Sequence, residues 1–191
     1  MLSDQLSFGL ARLAALARQD DWRAGEAEGL TPTQADILRV LLQRPEGMRV
    51  GAVAAHLAVR QPTASDAVTA LERKGLVKKH ADPEDGRAQV LRVTRSGRAL
   101  ATRWPLSFGG VVEAMAPEDQ ARLHGIVMRT IERLQQQGAI SPLRMCFACR
   151  YFQPNAHRGK ARPHHCGFID APLGEADLRA DCSDYQEPEA A

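Results

Sequence analysis

The chain has 191 residues, 44% of them hydrophobic and 25% charged, and a formal net charge of +2. This length is enough for one domain of ordinary size plus an appendage. No window approaches the ~18 consecutive apolar residues of a membrane span, which excludes a membrane protein, and the charged first segment argues against a secretory signal. Four cysteines are too few for a disulfide-dense scaffold, so we expect a cytoplasmic protein whose cysteines bind metal.

Basic charge is concentrated in one third of the chain. Between Arg39 and Arg103 there are 13 Lys and Arg residues against 6 Asp and Glu, whereas the remainder has 12 basic and 17 acidic residues. A patch of this kind is expected for a polyanion partner such as nucleic acid, although solvated helical faces are also often basic.

The first half of the chain predicts three helices. Apolar residues spaced three or four apart predict an amphipathic helix over 3–18, which the polar, glycine-containing stretch 19–29 should end. The sequence Thr-Pro-Thr-Gln at 31–34 has the arrangement of a capping box and opens a second helix that runs to about Gln43. The i, i+3, i+4, i+7 spacing within 50–57 predicts a short third helix.

A fourth helix and a hairpin follow. The helix begins at Pro62 and reaches Lys74, with Gly75 as the residue that ends it. Two β-like runs, 76–80 and 88–94, flank turn residues and predict a hairpin. Helix, turn, helix and hairpin together form a winged helix-turn-helix, in which one helix lies in the major groove of DNA beside the hairpin.

Two further helical regions are expected after the hairpin. Thr94 can cap a helix to about Met115, which the Trp104-Pro105 step should divide into two pieces. Ala116-Pro117 opens another helix that ends near Gly138. Its apolar stripe suits ordinary core packing or, together with the first helix, a dimer seam.

Several segments resemble the MarR family of prokaryotic winged-helix regulators over roughly residues 5–137. They are Leu30-Thr31-Pro32-Thr33-Gln34, Gln61-Pro62-Thr63-Ala64-Ser65, Leu71-Glu72-Arg73-Lys74-Gly75-Leu76-Val77, residues 82–87 and Val93-Thr94-Arg95-Ser96-Gly97. The resemblance implies a homodimer, formed by the N- and C-terminal helices, that binds a palindromic operator in double-stranded DNA and usually represses transcription. Similar regulators also bind small-molecule effectors.

The resemblance also implies the DNA-contacting residues. The recognition helix and the residue before it would present Arg60, Gln61, Thr63, Ala64, Ser65 and Thr69. The wing would present Arg87, held by Asp85, since a guanidinium suits a narrow and negative minor groove. Asp66 departs from the family, in which a basic or neutral residue is common, and its carboxylate either accepts from a cytosine amine, pairs with a neighbouring arginine or is solvated.

All four cysteines lie in the last part of the chain, at Cys146, Cys149, Cys166 and Cys182. The Cys-x2-Cys pair is a knuckle typical of zinc sites, and four thiolates complete a tetrahedral shell, so Zn2+ is the first expectation. The other two cysteines lack a second knuckle, which makes an iron–sulfur cluster the alternative. Reactive thiols or disulfides remain a third interpretation.

The cysteine-containing segment is also rich in Pro, Gly and His, with few large apolar residues. A segment this small does not order itself unaided, so a metal is the natural staple. His164 and His165 directly precede Cys166, and either could replace a cysteine ligand or donate to a thiolate. The alternative is that both are surface side chains in a turn.

The sequence therefore predicts a mainly α protein with a small β-hairpin. We divide it into an N-terminal dimerisation helix and linker (1–30), a winged helix-turn-helix DNA-binding domain (31–97), C-terminal dimerisation helices (98–140) and a Cys-rich metal-binding extension (141–191). No phosphate loop, nucleophile elbow or H-E-x-x-H motif is present, so we expect no enzyme. The competing functions are an electron carrier and a small-molecule receptor. Trp104, Phe108 and Met115 could line the pocket of such a receptor, although packing in the core is the simpler role for them.

Overall fold

The computed structural model describes residues 1–104 and 107–188. They form two compact units, Met1–Ala114 and Met115–Ala191. Helices dominate, and the strands form two small antiparallel sheets, which confirms the predicted fold class for the winged helix-turn-helix. No described helix has an apolar stretch of the length that crossing a bilayer requires.

The N-terminal helix is longer than the sequence predicted. Helix α1 spans Leu2–Glu28 and ends at Gly29, whose φ of +64° is in the left-handed region. The prediction that it ends at residue 18 is wrong because the stretch after it contains no proline. Gly25 is buried there for a packing reason: a Cβ atom would collide with the carbonyl oxygen of Leu30. This glycine allows a close approach and does not end the helix.

Three helices form the helix-turn-helix, with bounds close to those predicted. They are α2 (Pro32–Leu42), α3 (Val50–His56) and α4 (Gln61–Arg73). The capping box is present: the Gln34 N–H donates to Thr31 Oγ1 at 3.3 Å, and the Thr31 N–H donates to Gln34 Oε1 at 3.4 Å. Their inward faces pack into one core whose fully buried residues include Ile37, Leu38, Leu41, Val53, Val68 and Leu71.

The predicted hairpin is formed by β1 (Val77–Ala81) and β2 (Gln89–Val93). The strands are antiparallel, with Val77 opposite Val93. Helix α5 (Arg95–Arg103) follows, and the predicted cap is observed because Thr94 Oγ1 accepts from the Gly97 N–H at 3.1 Å. Val77 and Leu91 are fully buried in the core that the helices form, which anchors the wing to them.

Helix α6 (Gly109–Glu113) completes the first unit. It is separate from α5, as the expected division into two pieces requires, although Pro105 itself lies outside the described residues. Trp104 is buried in the core of this unit and its Nε1–H donates to Asp21 Oδ1 at 3.4 Å. This indole therefore packs as a core residue.

The second unit contains one long helix and a three-stranded sheet. Helix α7 spans Pro117–Gln136, and the strands β3 (Phe152–Gln153), β4 (His164–Cys166) and β5 (Ala171–Leu173) pair antiparallel in chain order. Short 3-10 helices lie at Cys146–Ala148 and Glu175–Asp177. The sequence analysis found no strands here because two or three residues are too few to show an alternating pattern.

The Cys-rich segment packs directly on α7. Met128 of α7 is buried against Met145, Leu173 and Leu178. A polar contact accompanies this core, since Arg129 Nη1 donates to Glu175 Oε2 at 3.0 Å. The boundary between the two units consequently lies inside the segment 98–140, and α7 shares a core with the extension that follows it.

Candidate nucleic-acid interface and candidate metal centre

Helix α4 separates its residues into a buried and an exposed face. Ala64, Ala67, Val68 and Leu71 are buried, at the spacing of an inward stripe. Arg60, Gln61, Thr63 and Thr69 are exposed, and Ser65 is half-buried. Ala64 was therefore wrongly included among the DNA-contacting residues, because its side chain is 0% exposed. The other residues remain predicted contacts.

The exposed face of α4 also bears Asp66. Its carboxylate is exposed and forms no ion pair with any residue that the structure describes. The hydroxyl of Thr69 donates to the Ser65 carbonyl oxygen at 2.9 Å, so a contact from this hydroxyl to a base would first have to break that bond. Gln61 and Thr63 are the polar side chains of this face nearest its N-terminal end.

The wing tip presents Arg87 in a way that the sequence only partly predicted. The backbone N–H of Arg87 donates to Asp85 Oδ1 at 3.1 Å. The other oxygen of Asp85 lies 3.5 Å from Arg49 Nη2. Asp85 therefore fixes the backbone of the tip, and it does not clamp the guanidinium of Arg87, which is exposed.

A second contact at the base of the wing was missed by the sequence analysis. Arg49, the residue before α3, donates from Nε to Asp82 Oδ2 at 2.7 Å. The Glu84 N–H donates to the other oxygen of Asp82 at 2.9 Å, and this bond together with Arg49 lowers the pKa of the Asp82 carboxyl. The contact raises the pKa of Arg49. These two residues link the start of α3 to the turn of the wing.

Part of the basic patch is already neutralised. Lys79 pairs with Glu72 at 2.7 Å and Arg103 pairs with Glu28 at 2.9 Å. Six basic residues of the patch are exposed and form neither an ion pair nor a side-chain hydrogen bond within residues 1–104 and 107–188: Arg60, Arg73, Lys78, Arg87, Arg95 and Arg98. They are the side chains available to phosphates.

Residues 28–88, which include α2 to α4, β1 and the turn of the wing, match the model of the MarR family. Because of this match we refer to the winged helix-turn-helix domain as the MarR domain. The matched region contains every DNA-contacting residue that the sequence analysis named, and it ends well before the first cysteine.

Known proteins similar to this chain are transcriptional regulators. It is 36% identical over 100 residues to the transcriptional activatory protein BadR of Rhodopseudomonas palustris, covering 51% of this chain and 57% of BadR. The chain thus spans little more than half the length of this curated relative. The structure of CouR from Rhodococcus jostii RHA1 bound to p-coumaroyl-CoA is 25% identical, with a TM-score of 0.57, over 71% of this chain and 92% of CouR.

The transcriptional repressor CouR bound to a 23-mer DNA duplex is 26% identical, with a TM-score of 0.56, over 69% of this chain and 94% of that one. These relatives are regulators and not enzymes, in agreement with the expectation from the sequence. One relative is described as an activator and another as a repressor, so similarity to these regulators does not fix the sign of regulation.

Beyond the MarR domain, the second unit brings the four cysteines together. Cys146, Cys149, Cys166 and Cys182 all line one cavity of about 190 Å³. Backbone hydrogen bonds position them: the Cys146 N–H donates to the Arg179 carbonyl at 3.0 Å, and the Cys182 N–H donates to the Arg144 carbonyl at 2.8 Å. Cys166 is placed by its pairing with Phe152 in the sheet.

The environment of the thiols contains donors to sulfur. The Arg179 N–H donates to Cys146 Sγ at 3.2 Å, and Arg179 Nη1 lies 4.0 Å from Cys182 Sγ. Burial raises the pKa of the Cys146 thiol, and the Arg179 N–H opposes this effect. The thiols form part of the wall of the cavity, and in the described part of the chain no three His, Cys, Asp or Glu side chains form a ready single-ion site. Arg179 is a site residue that the sequence analysis missed.

The two histidines beside Cys166 are engaged outside the cavity. His164 is 8% exposed; its Nδ1 accepts from the Asn155 N–H at 3.2 Å, so Nε2 carries the hydrogen, 3.8 Å from Glu175 Oε1. The ring of His165 lies between Asp170 and His157, at 3.2 Å from each. Neither imidazole lines the cavity. Their proposed roles as ligands or donors therefore find no support in this geometry.

Proposed function

We propose that this protein is a homodimeric transcriptional repressor that binds a palindromic operator in double-stranded DNA through its MarR domain. The observation that carries the proposal is the exposed polar face of α4 in the same domain as the exposed Arg87 of the wing. Such a helix reads base edges in the major groove, and a wing arginine suits the adjacent minor groove. A DNA operator as partner corresponds to a cytoplasmic location.

The dimer is proposed from unpartnered apolar surface. Helix α1 leaves Leu2, Leu6, Phe8, Leu10, Leu13 and Leu16 exposed. On α7, Leu123, Ile126 and Val127 are exposed as well. Monomeric proteins rarely expose apolar patches of this extent, so we propose that a second copy of the chain buries these residues in a dimer interface. A two-fold dimer reads two symmetric half-sites, which is why the operator should be palindromic.

The four cysteines are proposed to bind a metal centre in the second unit. Four thiols on one cavity form the donor set of a four-cysteine zinc site and also of an iron–sulfur cluster. The centre would hold the cysteine-containing segment in its folded conformation. Because that segment shares a core with α7, loss of the metal would also affect α7, and the centre would then act as a sensor. A sensory centre should change operator affinity by the ~1–3 kcal/mol typical of coupled sites when the metal is lost, whereas a purely structural one should not.

A small-molecule effector is a further proposed partner, favoured by the CouR structure with p-coumaroyl-CoA bound. Of the residues proposed to line its pocket, Trp104 packs in the core of the first unit, which removes it from the candidates. The electron-carrier function loses support because the chain contains a MarR domain.

The test uses the full-length protein and DNA selected from a random pool. We expect a palindromic sequence with half-sites about one helical turn apart, roughly 10 bp, and a protein that is dimeric by light scattering. Transcription in vitro from a promoter overlapping that site should fall when the protein is added. Failure to select any sequence would overturn the DNA-binding proposal, and a rise in transcription would overturn only the repressor assignment.

A further inference from the structure

The cavity that the four thiols line together with neighbouring side chains is larger than a single ion requires. Its volume of about 190 Å³ is several times the ~30 Å³ that one water molecule occupies in the liquid. In a four-thiolate zinc site the Zn–S distance of ~2.3 Å brings the sulfur atoms to within ~3.8 Å of one another. Sulfurs that close enclose the ion alone and leave no cavity between them.

The backbone around the cavity is fixed by contacts that do not involve the thiols. Cys146 and Cys182 are placed by backbone hydrogen bonds to Arg179 and Arg144, and Cys166 lies in the central strand of the sheet. Rotation about the side-chain bonds moves each sulfur but leaves these segments in place. The cavity is therefore formed by the backbone fold of the second unit and not by the rotamers of the thiols alone.

We infer that this cavity binds an iron–sulfur cluster and not a single zinc ion. The inference rests on the metal centre proposed above and specifies its chemistry. In a cluster, an inorganic core of iron and sulfide lies between the thiolates, and four cysteines complete either a [2Fe–2S] or a [4Fe–4S] core. The spacing of the cysteines agrees, because Cys166 and Cys182 are single ligands without a second Cys-x2-Cys knuckle.

Ligation needs no change in oxidation state. Each thiol loses one proton as its sulfur bonds to an iron of the core, and the four protons pass to solvent. The resulting negative sulfurs have donors in place: the Arg179 N–H at Cys146 Sγ and the Arg179 guanidinium near Cys182 Sγ. The rest of the wall combines apolar side chains, among them Phe152, Phe168, Ile169 and Leu173, with the charged Arg162, Asp177 and Asp184. Hydrogen bonds to sulfur and limited solvent access are the features by which proteins set the potential of a cluster.

The experiment is metal analysis of the full-length protein purified without oxygen. We expect iron and acid-labile sulfide in nearly equal amounts, about two or four of each per chain, with broad visible absorbance. Protein isolated without metal is incubated with ferric iron, sulfide and a thiol reductant, which reduces part of the iron as the cluster forms, and in a parallel sample with zinc. The visible absorbance and the sulfide should be lost in the Cys149→Ser and Cys182→Ser variants.

The matched control is Ser183→Ala, since Ser183 is exposed, adjoins Cys182 and does not line the cavity. This variant should keep the full iron and sulfide content. His165→Ala should keep it too, whereas loss of the cluster there would overturn the four-cysteine ligand set. A cysteine variant that fails to fold leaves the inference testable, because metal and sulfide content are measured first on the unchanged chain.

Zinc at one ion per chain without sulfide, both as purified and after incubation with iron and sulfide, would overturn the cluster but leave the proposed four-cysteine metal centre intact. Absence of any metal in both samples would overturn the centre as well. Operator selection is measured separately, so neither result is confused with failure of the DNA-binding proposal.

Discussion

The two units of this protein differ in the size of their buried cores. The MarR domain buries a continuous set of aliphatic side chains, including Ile37, Leu41, Val53, Val68 and Leu71, each less than 2% exposed. In the described part of the second unit, the buried apolar cluster consists of Met128, Met145, Leu173 and Leu178. The MarR domain therefore has the larger buried aliphatic core of the two. The Cys-rich segment is little longer than the ~40 residues below which chains generally need a metal, a disulfide or a partner.

The most direct test of this comparison is to remove the proposed metal centre. Chelation, or the double substitution Cys149→Ser and Cys182→Ser, should unfold residues 141–188 because too little apolar surface remains to order them. Hydrogen exchange measured by mass spectrometry should show lost protection over 144–185 and unchanged protection over 32–93. Ser183→Ala should leave both regions as they are, and full protection of 144–185 after metal removal would contradict the dependence on metal.

The converse test perturbs the core of the MarR domain. Leu71 is 0% exposed, so Leu71→Ala should lower the free energy of unfolding of that domain by about 2–5 kcal/mol. Calorimetry or denaturant unfolding, followed with a probe in each unit, measures the effect. Met145→Ala is the counterpart, since Met145 is also 0% exposed, and it should lower the stability of the second unit alone. An equal effect of each substitution on both units would show that they do not fold separately.

The two units also differ in how much of their structure the sequence predicts. The helices α2 to α4 were predictable because their caps and periodic apolar residues are local signals, as the Thr31–Gln34 capping box shows. The extent of α1 was not predictable, because Gly25 serves a contact with Leu30 that only the fold reveals. In the second unit the clustering of cysteines on one cavity was predictable from their clustering in the sequence, but the strands and their packing on α7 were not.

The residues predicted to face DNA show that the sequence also predicts individual side-chain contacts incompletely. Resemblance to the MarR family assigned a contact to Ala64, whereas the helical spacing of Ala64, Val68 and Leu71 places that residue in the core. The contact between Arg49 and Asp82 was not predicted because the two residues are 33 positions apart in the chain. Contacts between distant segments depend on how elements pack, and no local pattern carries that information.

Within the MarR domain, the wing is the region where a side chain can be removed at little cost to the fold. Arg87→Ala should weaken operator binding by about 1–3 kcal/mol, since Arg87 is exposed at the hairpin tip. Fluorescence anisotropy at constant salt measures the affinity. Arg158→Ala removes an equal charge from an exposed position of the second unit and is the control. Equal affinities for Arg87→Ala and the unchanged protein would exclude the wing from DNA binding.

The smallest expected effect is a pH dependence of the wing that the second unit should not share. The pKa of Asp82 is lowered by the Glu84 N–H and by Arg49, so the ionised form is favoured in the folded state. Its stabilisation of the wing is therefore fully present above the ordinary pKa of 3.8 and is lost as the pH falls through the lower folded value. Amide exchange in β1 and β2 should accelerate below about pH 4, beyond the intrinsic pH effect on exchange.

Asp82→Asn should remove that acid-dependent step and leave the wing less protected at neutral pH, because its amide cannot form the ion pair with Arg49. An unaltered acid-dependent step in Asp82→Asn would assign it to a different carboxylate.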